Sequence, residues 1–354
     1  MKKNHNFFLN KAFKLAEKNL GKTGLNPSVG CIIVKDNKII SSGITSPGGR
    51  PHAEYNALKK RYNFIGANLY STLEPCTHKG QTPPCTNLII KKKINNVFYS
   101  FDDLDMRTHK KAKKKLKKRA INVKKILIKK YSNFYKDYFF NKKYNIPFIT
   151  AKIAISKDFY TINKNKKWIT NSKSRTHVHF LRSKHDCIMS TSKSINLDNS
   201  LLNCRLVGQD IYKPDLFIID LNLKLKKNLL LNKLINKRKT YIITHKSNLK
   251  KINTYKKKGY KFILINSLKE KKDFILLYKI IYKLGYSRIF LETGLTFLRT
   301  VIKHKLVNKL YLFKNNTNLK KIGKNNNSVN FLKKITFKSI SINLNHDKLL
   351  VKEF

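Results

Sequence analysis

The chain has 354 residues, which is more than one hydrophobic core usually supports, so its length predicts two domains. A hydrophobic fraction of 41% excludes a disordered protein, and five cysteines are too few for a disulfide framework at this length. The chain is strongly basic, with 77 lysines and arginines against 19 acidic residues, but it has no apolar stretch long enough for a membrane span or signal peptide, which predicts a cytoplasmic protein without a membrane partner.

The first part of the chain has the apolar patterns of a mixed α/β unit. Apolar residues recur at helical spacing from Phe8 to Leu20, and Gly21 predicts the end of this helix. Further helices are predicted to begin at His52 and at Pro84. Short apolar runs predict strands at Val29–Val34, Lys38–Ser42, Ala67–Thr72, Val97–Phe101 and Ile121–Ile128.

Three short pieces of this unit together predict a metal site. They are His52-Ala53-Glu54, Pro75-Cys76 and Pro84-Cys85. One histidine and two cysteines are a ligand set of catalytic zinc, which keeps a fourth position for water and lowers the pKa of that water to about 7. Glu54 follows the histidine as in the H-x-E…P-C signature of zinc-dependent base deaminases, in which the glutamate transfers protons. We therefore expect His52, Cys76 and Cys85 to hold one Zn²⁺ and Glu54 to be the catalytic residue.

The apolar periodicity is lost between Tyr131 and Pro147, which predicts a boundary between domains 1–146 and 147–354. Beyond it, strands alternate with helical stretches such as Lys272–Leu284 and Thr296–Leu306. This alternation predicts an α/β domain with a largely parallel sheet covered by helices. The strand candidates are Phe148–Ile155, Cys187–Ser190, Leu216–Leu221, Tyr241–Thr244, Phe262–Asn266 and Arg288–Leu291.

One loop of the second segment suits a phosphate group. Gly294 follows the last of these strands and precedes a helix, whose first backbone N–H groups would be free to bind an anion. No G-x-G-x-x-G motif follows a strand, so the Rossmann fingerprint is absent from the sequence. From its residues alone, this half is predicted to be an α/β domain suited to a nucleotide.

The first segment resembles the pyrimidine deaminase of riboflavin biosynthesis, which in bacteria is usually fused to a reductase. The resemblance is carried by Asn26–Cys31, Pro51–Glu54 and Leu73–Cys85. The long spacing between the two cysteines is characteristic of that family, whereas transfer-RNA adenosine deaminases place their cysteines closer together. The resemblance implies a cytidine-deaminase-like, three-layer α/β/α domain, in which Asn26 and Glu74 line the pyrimidine pocket.

The same segment departs from the family at three places. Thr45 stands where histidine is common, Gln81 where a basic residue is usual, and Asp103–Met106 where the family has Asp-Pro-Asn-Pro. These changes leave the predicted zinc ligands intact. They affect the residues that the resemblance implies for binding the ribose phosphate of the substrate.

The second segment is similar to the reductase domain of that family, which has a dihydrofolate-reductase-like α/β fold and uses NADPH. The resemblance is carried by Ser156–Asp158, Trp168–Thr170, Leu181–Arg182 and Glu292–Gly294, although Phe159 and Ser200 depart from the family pattern. It implies substrate contacts from Arg182, Leu202, Arg205 and Glu292. It also implies NADPH contacts from Ala154, Trp168, Ser194, Asp198, Gly294, Leu295 and Thr296.

The resemblance as a whole implies a bifunctional enzyme of riboflavin biosynthesis. The first domain would deaminate a diamino-phosphoribosylaminopyrimidinone hydrolytically to the aminouracil, and the second would reduce the ribosyl group to ribityl with NADPH. The partner of such an enzyme is a small-molecule phosphoribosylaminopyrimidine and not a nucleic acid. The sequence leaves open whether the chain forms a homo-oligomer.

Two alternatives remain open from the sequence. One is a nucleic-acid base deaminase of the transfer-RNA type, whose basic second domain would hold RNA. Against it, only ten of the 77 basic residues are arginine and the lysines are spread along the chain, as codon drift in an AT-rich genome would produce. The other is a deaminase whose second domain has decayed to a scaffold.

Overall fold

The computed structural model describes residues 4–206 and 214–354. Contacts divide the chain into two units, residues 1–145 and 146–354, so the boundary predicted from the sequence lies one residue further along the chain. In the described ranges, every helix is too short or too polar to cross a lipid bilayer.

The first unit is built on a five-stranded sheet in the order β2-β1-β3-β4-β5. Strand β1 pairs antiparallel with β2 and β3, whereas the β3–β4 and β4–β5 pairs are parallel. The elements are α1 (His5–Ala16), β1 (Gly30–Lys35), β2 (Lys38–Ile44), α2 (Ala53–Leu58), β3 (Asn68–Leu73), α3 (Cys85–Lys91), β4 (Asn96–Phe101), α4 (Lys111–Lys117), β5 (Asn122–Lys125) and α5 (Lys136–Tyr144).

Helices of this unit lie on both faces of the sheet. Gly30 in β1 faces α1, where an added Cβ would overlap the carbonyl oxygen of Ala12. Gly43 in β2 faces α2, where an added Cβ would overlap the carbonyl oxygen of Ala53. Gly43 pairs with Cys31, the neighbour of Gly30, and adjacent residues of a strand point to opposite faces. Helices α1 and α2 therefore cover opposite faces, which gives three layers.

The second unit is built on a nine-stranded sheet in the order β11-β10-β9-β8-β12-β6-β13-β16-β15. All neighbouring pairs from β11 to β13 are parallel, and β16 and β15 add antiparallel strands at one edge. Its elements are β6 (Phe148–Ile155), β7 (Ile162–Asn163), α6 (Ser172–Ser183), β8 (Cys187–Thr191), α7 (Ser192–Asp198), β9 (Asp215–Ile219), β10 (Thr240–His245), α8 (Asn253–Lys257), β11 (Lys261–Ile265), α9 (Lys271–Lys283), β12 (Arg288–Glu292), α10 (Leu295–Lys303), β13 (Lys309–Lys314), β14 (Gly323–Lys324), α11 (Asn330–Lys333), β15 (Lys338–Leu344) and β16 (Asp347–Glu353).

Alternate residues of the central strands supply two hydrophobic cores in this unit. Ile289 of β12 belongs to the core that includes Leu277 of α9 and Leu298 of α10, whereas its neighbour Phe290 belongs to the core that includes Leu181 of α6. A strand with apolar residues on both faces is typical of a parallel sheet covered on both sides. The predicted α/β class and parallel sheet are therefore confirmed.

The six strands predicted for this segment are all present, with their ends displaced by at most two residues. Sequence reasoning did not predict β13, β15 or β16, nor helix α5 at the end of the first unit. The run predicted as the strand Ile121–Ile128 forms the shorter strand β5, and its last residues leave the sheet.

Candidate active sites

Helix α2 places the first ligand and the glutamate of the predicted metal site. His52 is the N-cap residue with extended backbone angles, and Glu54 lies in the first turn. The Glu54 side chain is buried, at 3% exposure, on the face of the sheet that α2 covers. The extended N-cap turns the histidine towards the end of strand β3, from which the next part of the site comes.

The two cysteines come from either end of the loop between β3 and α3. Cys76 lies shortly after the end of β3, and Cys85 is the first residue of α3. The Nδ1 atom of His52 lies 3.6 Å from Sγ of Cys76 and 3.5 Å from Sγ of Cys85. The backbone N–H of Cys85 donates to Sγ of Cys76 at 3.2 Å. The sequence motif thus forms one compact cluster.

This cluster fits a tetrahedral metal ion. All three candidate ligand atoms lie within 4.8 Å of one another. One imidazole nitrogen and two sulfurs are a donor set that zinc accepts, and three protein ligands leave a fourth position open. The thiol of Cys85 and the nearby imidazole lower the pKa of Cys76 to about 4, which favours the thiolate that a metal requires.

Glu54 lies beside the cluster in a nearly closed environment. Its Oε1 accepts a hydrogen bond from Oγ of Ser71 at 3.1 Å, and its Oε2 accepts one from the Cys85 thiol at 3.5 Å. Burial raises the pKa of Glu54, and the nearby His52 opposes this shift. A carboxyl group with a raised pKa next to an open metal position is suited to accept and return a proton.

The cluster opens into a pocket with about 530 Å³ of empty volume. Asn26 and Glu74, which the resemblance assigns to the pyrimidine, line this pocket together with the cluster. The carboxylate of Glu74 also holds the pocket wall, because it accepts hydrogen bonds from the backbone N–H groups of Asp103, Lys110 and Ala112 at 2.9 to 3.2 Å. Glu74 therefore has a structural task that sequence reasoning did not predict.

Two of the departures from the family pattern have different surroundings. Thr45 is buried, and its Oγ1 accepts a hydrogen bond at 3.0 Å from the backbone N–H of Val29, the residue just before strand β1. Gln81 is exposed and neutral, and it does not belong to the pocket lining. The sequence analysis did not identify Arg50, Arg107 and Lys142, whose side chains line the pocket. Lys142 lies on α5, which was not predicted, and the two arginines reach the pocket only through contacts between segments distant in the sequence.

The second unit contains a bidentate ion pair between Arg182 of α6 and Glu292 at the end of β12. The guanidinium Nε lies 2.5 Å from Oε1 and Nη2 lies 3.0 Å from Oε2. Both side chains are almost buried, at 12% and 11% exposure. Burial alone would raise the pKa of Glu292, but the charge and hydrogen bonds of Arg182 outweigh it and hold that pKa below its ordinary value.

Lys152 of β6 also belongs to this cluster, and sequence reasoning missed it. Its ammonium group interacts electrostatically with Glu292, Arg182 and Asp198, and burial lowers its pKa. Burial likewise raises the pKa of Asp198. A lysine in the middle of the apolar run Phe148–Ile155 is unusual for a buried strand, and this signal could have found it.

Arg205 lies close to Arg182, and the resemblance assigns both residues to the substrate. Nη1 of Arg205 donates to Oδ1 of Asn203 at 3.0 Å, and Nη1 of Arg182 donates to the Asn203 carbonyl oxygen at 2.9 Å. His179 lies between the two guanidinium groups, and burial together with their charges lowers its pKa to about 4. The imidazole is therefore neutral at pH 7, and it adds no further positive charge beside the two guanidinium groups.

Leu202 lies next to this group in an unusual backbone conformation. Its φ of +45° is in the left-handed region, which is costly for a residue other than glycine. The carbonyl oxygens of Leu201 and Leu202 accept hydrogen bonds from the buried guanidinium of Arg238. The Leu202 side chain is itself buried, so only its backbone can face a ligand.

The residues that the resemblance assigned to NADPH lie at several elements. Ser194 and Gly294 are in contact, because the Gly294 N–H donates to Oγ of Ser194 at 3.1 Å. Thr296 is exposed in the first turn of α10, whereas the Leu295 side chain is buried in the core and can offer only its backbone. Ala154 lies in β6 and is partly buried.

Trp168 is half-exposed, at 51%, and its ring contacts are with cations. The guanidinium of Arg175 lies 5.1 Å from the ring centroid and Nζ of Lys167 lies 5.3 Å from it. Lys167 in turn interacts electrostatically with Asp198. Trp168 therefore lies on the side of the cluster that carries Asp198, although no contact among the described residues joins its ring to Arg182 or Glu292.

Both halves of the chain match known protein families. Residues 2–101 match the model of the cytidine and deoxycytidylate deaminase zinc-binding region, and residues 147–316 match the model of the RibD C-terminal domain. These matches agree with the three-layer first unit and the parallel sheet of the second, and they confirm the predicted fold of each half.

Proteins that are similar over most of the chain belong to riboflavin biosynthesis as well. The riboflavin biosynthesis protein RibD of Buchnera aphidicola subsp. Baizongia pistaciae is 33% identical over 324 residues, which cover 87% of this chain and 86% of that protein. The structure of RibD from Acinetobacter baumannii has a TM-score of 0.83 at 24% identity, with 98% of each chain covered. A Thermotoga maritima structure described as a diaminohydroxyphosphoribosylaminopyrimidine deaminase/5-amino-6-(5-phosphoribosylamino)uracil reductase has a TM-score of 0.81 at 23% identity, covering 99% of this chain and 98% of that one.

Proposed function

Because the chain belongs to the RibD family of riboflavin biosynthesis proteins, we propose that it catalyses two successive steps of that pathway. The first unit deaminates a diaminohydroxyphosphoribosylaminopyrimidine hydrolytically, and the second reduces the resulting phosphoribosylaminouracil to its ribityl form. The observation that carries the first step is the convergence of His52, Cys76 and Cys85 beside the buried Glu54.

His52, Cys76 and Cys85 would hold one zinc ion in the first unit. When bound, zinc lowers the pKa of a coordinated water and so makes it a nucleophile at neutral pH. The lowered pKa of Cys76 supports this assignment, because a thiolate is the form that binds metal. The neighbouring Cys76, burial and Glu54 raise the pKa of Cys85, so this thiol would release its proton when the metal binds.

Glu54 is the residue that moves protons. Its carboxylate would accept one proton from the attacking water and give it to the ring nitrogen. It would then take the remaining proton of the added hydroxyl group and give it to the amino group, which leaves as ammonia while the carbonyl forms. The hydrogen bond from Ser71 holds Oε1 in place, while Oε2 faces the cluster through the Cys85 thiol. Burial keeps bulk water from competing for these protons.

Asn26 and Glu74 are proposed to orient the pyrimidine in the pocket. An amide side chain offers both a donor and an acceptor, which suits the alternating polar edge of a pyrimidine ring. Glu74 lines the same pocket while it holds the wall residues 103–112 by backbone hydrogen bonds. Its contribution therefore includes keeping the pocket in shape.

The second unit would use NADPH, which supplies a hydride to the opened ribose. Arg205 and Arg182 would bind the substrate phosphate. Arg205 can offer paired hydrogen bonds to the phosphate oxygens, whereas Nε and Nη2 of Arg182 already bind Glu292, so Arg182 would contribute only its remaining N–H groups. Glu292 fixes Arg182 through the bidentate pair, and the backbone of Leu202 would meet the substrate beside them. The contact between Ser194 and Gly294 supports a shared cofactor surface with Leu295 and Thr296, completed by Ala154, Trp168 and Asp198.

The two alternatives are less well supported. A nucleic-acid base deaminase is not favoured, because the relatives that cover most of the chain are riboflavin biosynthesis proteins. A decayed second domain is not favoured either, since the Arg182–Glu292 pair and the neighbouring Arg205 form an ordered cluster. We keep a small-molecule substrate without nucleic acid as part of the proposal. The cytoplasmic location stays a prediction, and the sequence leaves the oligomeric state open.

The reductase activity is tested by adding the deaminated phosphoribosylaminouracil and NADPH to the purified full chain. We expect the nicotinamide absorbance to fall with time, and an Arg205→Gln variant to need a higher substrate concentration for the same rate. An unchanged absorbance with a full chain that still deaminates its substrate would contradict the second activity and would favour the decayed domain.

A further inference from the structure

Arg50, Arg107 and Lys142 line the pocket of the first unit, and the last two share one acidic partner. Arg107 makes two hydrogen bonds to the carboxylate of Asp105, at 2.8 and 2.6 Å, and Lys142 lies 3.2 Å from the same carboxylate. The hydrogen bond from Arg107 holds the pKa of Asp105 well below its usual range, so this carboxylate is charged. An anion that approaches these two cations also meets the negative charge of Asp105.

Arg50 is the third cation, and its environment differs. It lies two residues before His52 and lines the same pocket. Within residues 4–206 and 214–354, no carboxylate lies within ion-pair distance of its guanidinium. Its one side-chain hydrogen bond runs from Nη1 to Oγ1 of Thr82 at 2.7 Å. A guanidinium has five N–H groups, so most of its donors remain available to a ligand.

The guanidinium of Arg50 is held against the loop that connects the two cysteines. Thr82 belongs to this loop, and Nη2 of Arg50 would lie only 3.1 Å from a Cβ added at Gly80. The cation thus has a fixed position at one side of the pocket. Fixing the side chain in advance reduces the entropy that binding would otherwise cost.

No lysine or arginine of this loop lines the pocket. Lys79 is the one lysine or arginine of the loop, and it is exposed and does not belong to the pocket lining. Gln81 is exposed and neutral. The positive charge that the loop presents to the pocket therefore comes from Arg50, which is anchored to it from outside.

We propose that Arg50 binds the phosphate monoester of the pyrimidine substrate in the deaminase pocket. The inference rests on the proposed function, which places the reacting ring at Glu54 and leaves the phosphoribosyl group to extend along the pocket. A planar guanidinium with free N–H groups can make paired, charge-assisted hydrogen bonds to phosphate oxygens. Arg50 is thereby a specificity-determining residue that favours the phosphorylated substrate over its dephosphorylated form.

The test compares the zinc-loaded full chain with its Arg50→Gln variant on two substrates, the phosphorylated pyrimidine and the same compound after removal of its phosphate. For the phosphorylated substrate we expect KM to rise about tenfold to a hundredfold in the variant, with kcat nearly unchanged, because a hydrogen bond to a charged group is lost. For the dephosphorylated substrate the two proteins should have the same KM. Inorganic phosphate should inhibit the parent competitively and the variant much less.

Two further variants keep the test specific. Lys79→Gln removes a cation from the same loop without touching the pocket and should leave both KM values unchanged. Arg50→Lys keeps the charge without the fork geometry and should give an intermediate KM. Zinc content is measured for each protein, so that damage to the neighbouring His52 is recognised.

The possible results distinguish the role of Arg50 from the deaminase activity itself. Equal KM values of the parent and Arg50→Gln on the phosphorylated substrate would overturn the role of Arg50 while leaving the deaminase intact. A KM effect that appears in Arg107→Gln and not in Arg50→Gln would assign the phosphate to the other cations and overturn it as well. Absence of any deamination by the zinc-loaded parent would instead contradict the proposed function.

Discussion

In the proposed deamination, proton transfer depends on one buried carboxyl group. Glu54 is 3% exposed and has two hydrogen-bond donors, Ser71 and Cys85. Its pKa is raised by burial, so it can hold a proton between two steps of a reaction more easily than an exposed glutamate. It lies outside the set of three candidate ligands, which separates proton transfer from metal binding.

We therefore expect the Glu54→Gln variant to lose deaminase activity and to keep its metal ion. Glutamine has nearly the same shape and can still accept the hydrogen bond from Ser71, but it cannot carry the proton. We expect kcat for deamination to fall by about 10²–10⁴-fold. Zinc content, measured by elemental analysis, should stay at the parental level. Reductase activity of the same sample is the internal control, and deamination within tenfold of the parent would show that another group moves the proton.

The Arg182–Glu292 pair predicts a pH-dependent contribution to the stability of the second unit. Glu292 has a lowered pKa in the folded protein, so the pair contributes stability that is present above the ordinary glutamate pKa of 4.5 and is lost as the pH falls through the lower folded value. Replacing Arg182 with methionine leaves a buried carboxylate without its partner. We expect the free energy of unfolding at pH 7 to fall by about 3–5 kcal/mol.

This loss should shrink as the pH is lowered below the ordinary glutamate pKa, because an unpaired Glu292 can then take up a proton in the variant. Trp168 is the one tryptophan of the sequence and lies in the second unit, so its fluorescence in a urea titration reports on this unit. Arg299→Met, at an exposed arginine of α10, is the matched control and should change little. A loss that is equally large at pH 4 and pH 7 would contradict the electrostatic explanation.

At the scale of elements, the metal cluster depends on how closely α2 approaches the sheet. Gly43 of β2 lies against the carbonyl oxygen of Ala53, which stands between His52 and Glu54. A side chain at position 43 would push the first turn of α2 away and with it both functional residues. The glycine is therefore needed for the position of the site as well as for packing.

Replacing Gly43 with alanine is predicted to weaken metal retention. Overpacking should lower the free energy of unfolding by about 1–3 kcal/mol, and displacement of His52 should make zinc easier to remove with a chelator. Gly30→Ala is the matched control, because Gly30 is equally crowded but faces α1 on the opposite face of the sheet. Both variants should lose stability, but only Gly43→Ala should lose zinc at a lower chelator concentration. Equal zinc retention in the two folded variants would contradict this coupling.

The elements that sequence reasoning found are those with a clear apolar pattern. Strands such as β6 and β12 are buried on both faces and form continuous apolar runs, which are easily recognised. Helix α5 was missed because its sequence, KDYFFNKKY, has no apolar face, and it buries a tyrosine and an asparagine instead. Strand β15 was missed because most of its residues are exposed at the edge of the sheet.

In the candidate sites, too, some residues could be recognised from the sequence and others could not. Histidine, cysteine and glutamate at fixed spacing are rare enough to be recognised, whereas Lys152 is one lysine among very many. Arg50 could not be identified from its sequence position, since only the folded loop brings it to Thr82 and the pocket. Spacing therefore predicted the metal cluster, but the charges around each pocket depend on contacts between distant segments.

At the scale of the whole molecule, the net charge of +58 is spread over both units and does not by itself identify a partner. The chemistry instead resides in two local clusters, one in each unit, whose cations are partly neutralised by Asp105 and Glu292. The relatives that cover most of the chain span both units, which joins the two activities in one protein.

The most direct test of this account is a mass analysis of products formed by the zinc-loaded full chain from the diaminohydroxyphosphoribosylaminopyrimidine. Without NADPH, we expect one product in which an amino group has been replaced by oxygen and the ribosyl group is intact. With NADPH, the product should carry two additional hydrogen atoms in its sugar portion. An unchanged substrate without NADPH, or an identical product with and without it, would contradict the claim that one chain carries both activities.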